Sequence, residues 1–154
     1  MDSPDFGTII GRTPVRQLSV FLDNRVGTFL SLVKLLKENH IELLGVSLLE
    51  ATEITLLRMV LSDPESAQTV FMERGIPHTD APLVVVELRE TSHDLSHALS
   101  VLLAAEINIR FSYPLLTRPS DYPLLALHVD DVEIGSEALS NAGFKVLSQG
   151  ELSR

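Results

Sequence analysis

Leu22-Asp23-Asn24-Arg25-Val26-Gly27-Thr28-Phe29 joins the end of an alternating apolar segment to the start of a segment with helical spacing. This region returns 66 residues later in altered form, at the apolar pairs Val20/Val86, Leu22/Leu88, Leu36/Leu102 and Ile41/Ile107. Further along the chain the shift becomes 68 residues, at Asp63/Asp131, Glu65/Glu133 and Gly75/Gly143. A constant shift that changes once by two residues is what a duplication with a short insertion in one loop leaves. The sequence therefore predicts a tandem repeat.

The two units share one predicted order of elements, which is strand-helix-strand-strand-helix-strand. In unit 1 (residues 17–80) we expect strands at 17–22, 41–49, 54–61 and 77–79, with helices at 28–39 and from Asp63-Pro64 to Gly75. In unit 2 (residues 83–150) we expect strands at 83–88, 107–116, 124–129 and 145–147, with helices at 94–105 and 131–142. Right-handed crossovers in this order give an antiparallel sheet with both helices on one face. The predicted fold class is α+β, with two ferredoxin-like βαββαβ units.

The remaining segments are an N-terminal arm and a short connection. The arm covers residues 1–16, and its Thr8-Ile9-Ile10 is compatible with an additional strand. Residues 78–82 form the predicted linker, which is too short for the units to move freely. Because units of this size bury little apolar surface alone, we expect them to pack on each other or on a second chain.

Composition excludes several classes of function. The chain has 154 residues and a net charge of −9, which repels a phosphate backbone, so neither nucleic acid nor anionic membrane is an expected partner. It has no Cys, so disulfides, a Cys nucleophile and thiolate metal sites are excluded. No apolar run reaches the length of a membrane span, and the acidic N-terminus does not resemble a secretion signal. We expect a cytoplasmic protein.

Ferredoxin-like units support unrelated functions, so the function has to be inferred from the residues of the candidate site. A metal carrier of this fold would need Cys residues in the first turn. An RNA-binding version would need aromatic and basic residues on the open sheet face, where Phe21 is the main aromatic. A phosphate-hydrolysing version would need an Arg facing a nucleophilic water, and nothing near Arg25 completes that arrangement. The remaining candidate is the turn at residues 23–27.

This turn resembles the first loop of an ACT domain, the small-molecule-sensing module of amino-acid metabolism. That loop usually reads acidic or Asn, then Arg or Lys, then Pro-Gly, and here it reads Asp23-Asn24-Arg25-Val26-Gly27. Ala104-Ala105-Glu106-Ile107-Asn108-Ile109 resembles the small-residue, Ile-Asn-Ile start of the family's second strand. The resemblance extends from residue 17 to about residue 150 and implies a tandem ACT protein without a catalytic domain.

The chain departs from the family pattern at three positions. Val26 replaces the usual Pro, which leaves the turn less restricted. In unit 2, His93 stands where unit 1 has Gly27. Conversely, Glu42 stands in unit 1 where unit 2 has Asn108. Each unit has therefore kept one half of the motif.

A free amino acid is a zwitterion, so its site needs donors for the carboxylate and acceptors for the ammonium. Gly27 permits close approach to the backbone at the start of a helix, where free N–H groups favour an anion. The resemblance implies that a ligand lies where two units meet, between the first loop of one and the second-strand Asn of the other. The predicted ligand-binding residues are Asp23, Asn24, Arg25, Val26, Gly27, Thr28 and Asn108. The reciprocal site, with His93 and Glu42, is expected to be dead or altered.

These residues also have simpler interpretations. The loop is compatible with a polar turn in which Asn24 caps the next helix, and Asn108 with a side chain that bonds only backbone. His93 and His97 have the i, i+4 spacing of a zinc pair, but no third ligand is evident. We predict no metal, no cofactor and no catalytic residue.

The resemblance implies a non-catalytic regulatory protein that binds a small amino acid and forms a homodimer through its ACT sheets. Its occupancy would be relayed to an enzyme of amino-acid biosynthesis. The alternative is a dedicated regulatory subunit, for example of acetolactate synthase, that acts mainly through protein contact. A small phosphate-hydrolysing enzyme is a third hypothesis, disfavoured because no nucleophile, metal cluster or base pair is visible.

Overall fold

The computed structural model describes residues 13–153, so the possible strand at Thr8-Ile9-Ile10 lies outside the described residues. Unit 1 contains β1 (Val15–Asp23), α1 (Thr28–Glu38), β2 (Leu43–Glu50), β3 (Ile54–Leu61) and α2 (Pro64–Glu73), followed by β4 (His78–Glu87). Unit 2 continues with α3 (Thr91–Ala104), β5 (Ile109–Pro114), β6 (Leu124–Val129), α4 (Val132–Asn141), β7 (Val146–Leu147) and α5 (Gln149–Leu152). The two ferredoxin-like units are confirmed, and β1 begins within the segment that we assigned to the arm. None of the helices in residues 13–153 has the length and apolar character to cross a membrane.

One continuous strand joins the units. The first half of β4 pairs with β1, from Val20↔His78 to Val15↔Leu83, and residues 84–87 pair with β6. The strand order is β2-β3-β1-β4-β6-β5, and β7 pairs with β4. β4 is therefore the last strand of unit 1 and also the first strand of unit 2. The prediction of a linker at residues 78–82 is wrong, because these residues form backbone hydrogen bonds to β1.

Each unit buries one face of its sheet under its two helices, and the opposite faces pack on each other. In unit 1 the helix side contains residues from β1, β3, α1 and α2, including Leu18, Leu57, Met59, Leu36 and Phe71. In unit 2 it contains residues from β4, β6, α3 and α4, including Val84, Val86, Leu127, Leu102 and Leu139. A third cluster lies between the units and includes Val15, Leu83, Val85, Tyr113, Leu115 and Ala126. An antiparallel bridge between Gly45 and Leu115 connects the edge strands β2 and β5.

The packing of the two units buries several polar side chains between their sheets. The alternation of apolar and polar residues along β1 does not predict this burial. Gln17 and Ser19 lie on the same face of β1 as Phe21, and they are only 3% and 8% exposed. The Tyr113 hydroxyl donates to Gln17 Oε1 at 2.7 Å, and burial raises the pKa of Tyr113. Arg58 lies over the Phe111 ring at 3.7 Å, so it faces the sheet of the other unit. The polar side chains buried between the sheets therefore have partners from both units.

The second helix of each unit begins as the repeat predicts. Asp63 accepts from Ser66 N at 3.1 Å, with Pro64 at the first helical position. Asp131 accepts from Ile134 N at 3.0 Å, which is the same cap in unit 2. Both Asp side chains satisfy an N–H group that the helix itself leaves unpaired.

Candidate functional site

Gly27 begins α1 in the left-handed region, at φ +88°, where residues with a side chain are strained. A Cβ added at Gly27 would meet no atom within 4 Å, so the space beside the backbone is open. No side chain among residues 13–153 caps α1, and its first turn contains no acidic residue. The predicted close approach to the backbone at Gly27 is therefore geometrically possible.

The start of α1 presents unpaired backbone donors. Thr28 N donates to Arg25 O at 3.3 Å, and Ser31 N donates to Gly27 O at 2.9 Å. Between them, the N–H groups of Phe29 and Leu30 have no acceptor in the described chain. Free N–H groups and the helix dipole at this end favour a negatively charged group.

The other loop residues hold the turn in place or extend into solvent. Thr28 Oγ1 donates within the turn, to Asp23 O at 3.1 Å or to Arg25 O at 3.0 Å. The Arg25 guanidinium lies 3.6 Å from the Asp23 carboxylate, with both side chains mostly exposed, so this ion pair contributes little. Val26 is fully exposed.

Asn24 connects the loop to the β2–β3 hairpin. Its Nδ2 donates to Ala51 O at 3.0 Å, and its Oδ1 accepts from the Thr55 hydroxyl. The alternative in which Asn24 caps α1 is wrong, because Gly27 is the N-cap residue and the Asn24 amide bonds Ala51 and Thr55 instead. No local pattern in the sequence indicates these partners, since they lie 27 and 31 residues away.

Asn108 is held within unit 2 by Asp130. Asn108 N donates to Asp130 Oδ1 at 3.2 Å, and Asn108 Nδ2 donates to Asp130 Oδ2 at 3.3 Å. The Asn108 side-chain amide therefore donates to a side chain, so the alternative in which it bonds only backbone groups is wrong. The amide oxygen of Asn108 accepts no hydrogen bond from residues 13–153, so it remains available as an acceptor.

The topology places Asn108 and the unit 1 loop at the same end of the molecule. The Gly45↔Leu115 bridge is antiparallel, so the end of β2 lies towards the start of β5. Asn24 is bonded to Ala51 at the end of β2, whereas Asn108 immediately precedes β5. Within residues 13–153, no hydrogen bond joins the loop at 23–28 to Asn108.

An apolar surface that the sequence prediction did not include adjoins the loop. Phe21 and Leu49 both pair in register with Leu56, so the three side chains share one sheet face. Ile54 pairs with Asp23 on the same face, and Phe21, Leu49 and Ile54 are each about half exposed. The only signal for this surface in the sequence was the placement of Phe21 on the open face.

The equivalent loop of unit 2 is closed by its own side chain. Asp94 Oδ2 accepts from Arg89 N at 2.9 Å and from Glu90 N at 3.0 Å. The bond from Glu90 N is the main reason that the pKa of Asp94 lies below its usual value. Glu42, the unit 1 equivalent of Asn108, immediately precedes β2, and its N–H donates to Ser62 Oγ at 2.8 Å.

The His93–His97 pair does not form a zinc arrangement. The two rings are 6.4 Å apart, and His97 packs against Phe144 at 5.1 Å. His93 instead lies with Glu90 and Asp94, whose potential ligand atoms are within 4.8 Å of one another. This group is largely exposed, and Asp94 already binds two backbone N–H groups.

Comparison with known proteins identifies the class. The family model described as "ACT domain pair" matches residues 13–154, and the chain belongs to this family. ACT domains are regulatory, non-catalytic modules. Comparison with curated proteins found no match.

Solved structures share the architecture at low sequence identity. Protein BT0572 from Bacteroides thetaiotaomicron superposes with a TM-score of 0.85 at 19% identity, covering 94% of this chain and 99% of that one. The ligand-free regulatory subunit of aspartate kinase from Thermus thermophilus gives a TM-score of 0.60 at 12% identity, covering 84% and 93%. Aspartokinase alpha and beta subunits give a TM-score of 0.55 at 15% identity, covering 82% and 90%. At these identities the comparison establishes the fold.

Proposed function

We propose that this protein is a non-catalytic regulator that binds a small amino acid at the start of α1. Binding between ACT units, at a site that includes Asn108 of the other repeat, would report the concentration of the ligand to an enzyme of amino-acid biosynthesis. The protein would act in the cytoplasm as a homodimer through its ACT sheets. Membership of the ACT regulatory family supports the class of function.

The single observation that carries this proposal is the uncapped start of α1 beside Gly27. The free N–H groups of Phe29 and Leu30 suit the ligand carboxylate, and the open space at Gly27 permits its approach. The free amide oxygen of Asn108 suits the ammonium. The half-exposed apolar face beside the loop would contact an aliphatic side chain.

Regulation requires that the ligand bind one arrangement of the protein better than another. Occupancy shifts an equilibrium only by the difference between the two affinities. A ligand that touches the loop of unit 1 and Asn108 of another repeat would stabilise the arrangement in which the two are closest. The ACT units themselves need no catalytic group for this role.

The test combines a thermal-shift screen of the twenty amino acids with calorimetry on two glycine variants. A ligand at ~100 times its dissociation constant adds about 2.7 kcal/mol of apparent stability. Gly27→Ala introduces a methyl group at the site and strains the backbone, and Gly75→Ala is the matched control. Gly75 also has a positive φ, +64°, and a Cβ added there would meet no atom within 4 Å, but it lies after α2.

We expect both variants to lose similar stability, about 1 kcal/mol, because each forces Ala into a left-handed conformation. Only Gly27→Ala should lose one binding site per chain. The same number of sites in Gly27→Ala as in Gly75→Ala would contradict the proposal, and so would two identical sites per chain in the wild type.

A dedicated regulatory subunit that acts through protein contact is the second candidate. The outer side of α3 favours it: Leu95, Leu99 and Leu103 are exposed at helical spacing, and residues 95–104 contain no Asp, Glu, Lys or Arg. Exposed apolar helix surfaces of this kind are suited to protein partners. A screen in which no amino acid stabilises the protein would favour this candidate.

A further inference from the structure

A groove of about 960 Å³ lies beside α4, where β4 passes from β1 to β7. Its apolar lining comes from the sheet and from the start of α4, at Pro14, Pro82, Leu83, Val132, Val146 and Leu147. The part of α4 that borders it, from Val132 to Ser140, is about 12 Å long, which is the length of about four residues of an extended chain. The groove therefore has room for a short extended segment.

The charged side chains among the described residues that line this groove are all acidic. Glu133 and Glu137 are four residues apart on α4, so they lie on one face of the helix and repel each other. The third, Glu151, accepts from Ser148 N at 3.1 Å. None of the three forms an ion pair within residues 13–153. A basic partner would relieve the repulsion between these carboxylates, and an acidic partner would increase it.

The outer edge of β7 presents backbone groups to the groove. Glu87 N donates to Lys145 O at 3.0 Å, and the next pair in the register is Val86↔Val146. Because hydrogen-bonded and non-hydrogen-bonded pairs alternate in an antiparallel ladder, the N–H and C=O groups of Val146 point away from β4. They have no partner within residues 13–153, and Val146 lines the groove. An extended segment can form main-chain hydrogen bonds with a strand edge of this kind.

These features together define the chemistry of an occupant. Side chains alternate between the two sides of an extended segment, so one set can contact the apolar lining while the other extends towards the glutamates. A second copy of this chain is a poor match, because its net charge is −9. Residues 1–12 are also a poor match, because they contain two Asp and one Arg.

We infer that this groove binds an extended segment of a partner protein in which apolar residues alternate with Lys or Arg. The segment pairs with the edge of β7, and its cations lie beside Glu133 and Glu137. The groove uses none of the residues proposed to bind an amino acid at the start of α1. The inference therefore goes beyond the proposed function and does not depend on it.

Fluorescence anisotropy of the full chain with a dye-labelled peptide, Lys-Val-Lys-Val-Lys-Val-Lys, tests this inference. The double variant Glu133→Lys/Glu137→Lys replaces two attractive charges with two repulsive ones, so we expect affinity to fall at least about tenfold. Glu65→Lys/Glu73→Lys is the matched control, because it changes the net charge equally on α2, outside the groove. This control should bind the peptide nearly as well as the wild type.

Two further measurements test the apolar lining and the strand edge. A Lys-Ser-Lys-Ser-Lys-Ser-Lys peptide keeps the charges but lacks apolar side chains, so it should bind at least about tenfold more weakly. Val146→Pro removes the outward N–H without removing a bond to β4, whereas Val146→Thr keeps that N–H. Only Val146→Pro should weaken binding of the Lys-Val peptide.

Gly27→Ala should bind the peptide like the wild type, which separates this groove from the unit 1 site. The inference is overturned if the two double variants bind the Lys-Val peptide equally. It is also overturned if the Lys-Ser peptide binds as tightly as the Lys-Val peptide, because the groove would then be a non-specific acidic surface.

Discussion

One equivalent position in the first loops of the two units carries side chains with opposite hydrogen-bonding roles. Thr28 and Asp94 are related by the 66-residue shift. Thr28 donates its hydroxyl hydrogen to backbone carbonyl oxygens of its own loop. Asp94 accepts from two backbone N–H groups. One side chain satisfies carbonyl groups, and the other satisfies N–H groups.

The two loops therefore differ in which backbone groups they leave open. In unit 1 the N–H groups of Phe29 and Leu30 have no acceptor among residues 13–153, and Gly27 leaves the space beside the backbone open. In unit 2 the carboxylate of Asp94, within the first turn of α3, binds the N–H groups of Arg89 and Glu90, so an external anion would have to displace it from these two groups. The loop of unit 1 therefore leaves backbone N–H groups open at the start of α1, whereas the loop of unit 2 binds its own carboxylate.

The largest expected effect comes from giving unit 1 the residue of unit 2. In Thr28→Asp, the new carboxylate at the first residue of α1 should repel a ligand carboxylate at the neighbouring N–H groups of Phe29 and Leu30. We expect affinity at the unit 1 site to fall at least about tenfold, which corresponds to about 1.4 kcal/mol. Calorimetry with any amino acid that binds the wild type measures the change.

Ser31→Asp is the control for the added charge, because residue 31 is exposed and lies one turn into α1. It should weaken binding much less than Thr28→Asp. Equal affinities for the two variants would indicate that the N–H groups at the start of α1 do not hold the ligand.

The converse change should reduce stability. Asp94→Ala removes the acceptor for Arg89 N and Glu90 N, the backbone N–H groups of the two residues that precede α3. We expect the Tm to fall by roughly 2–4 °C for a chain of this size. Glu90→Ala also removes a negative charge, but its side chain has only a 3.6 Å contact with His93, so its Tm should change little. Matching Tm values for the two variants would show that the two hydrogen bonds to Asp94 do not stabilise the loop before α3.

Much of the fold could be predicted because the repeat and the local patterns agreed. The caps of α2 and α4 and the strand at Leu124–Val129 lie where the sequence predicts them. The continuity of β4 could not be predicted, because its residues 78–82 include Pro82 and polar side chains that are typical of a linker. Its pairing with β1 depends on tertiary structure. The short helix α5 was missed, although Ser148 and Glu151 form a capping box.

Contacts between the units also escaped prediction. Gly45 carries no signal in the sequence, yet a Cβ there would lie 2.3 Å from Leu115 Cδ2, where β2 meets β5. At the candidate site, the sequence predicted the special backbone at Gly27 because that depends on local sequence. The partners of Asn24 and Asn108 come from distant segments, so their hydrogen bonds appeared only in the structure.

The smallest expected effect is the pH dependence that Asp94 contributes in unit 2. The pKa of Asp94 lies below its usual 3.8, mainly because Glu90 N donates to the carboxylate. A lowered pKa in the folded state means that ionised Asp94 stabilises the fold above about pH 4, and this contribution is lost as the pH falls through the folded-state pKa.

Asp94→Asn keeps an acceptor but cannot ionise. The Tm difference between wild type and Asp94→Asn should therefore be constant above about pH 5 and shrink below about pH 4. The Tm difference for Thr28→Val should not vary with pH, because a hydroxyl does not ionise in this range. A gap for Asp94→Asn that widens on acidification would show that the loop N–H groups of unit 2 do not stabilise the carboxylate.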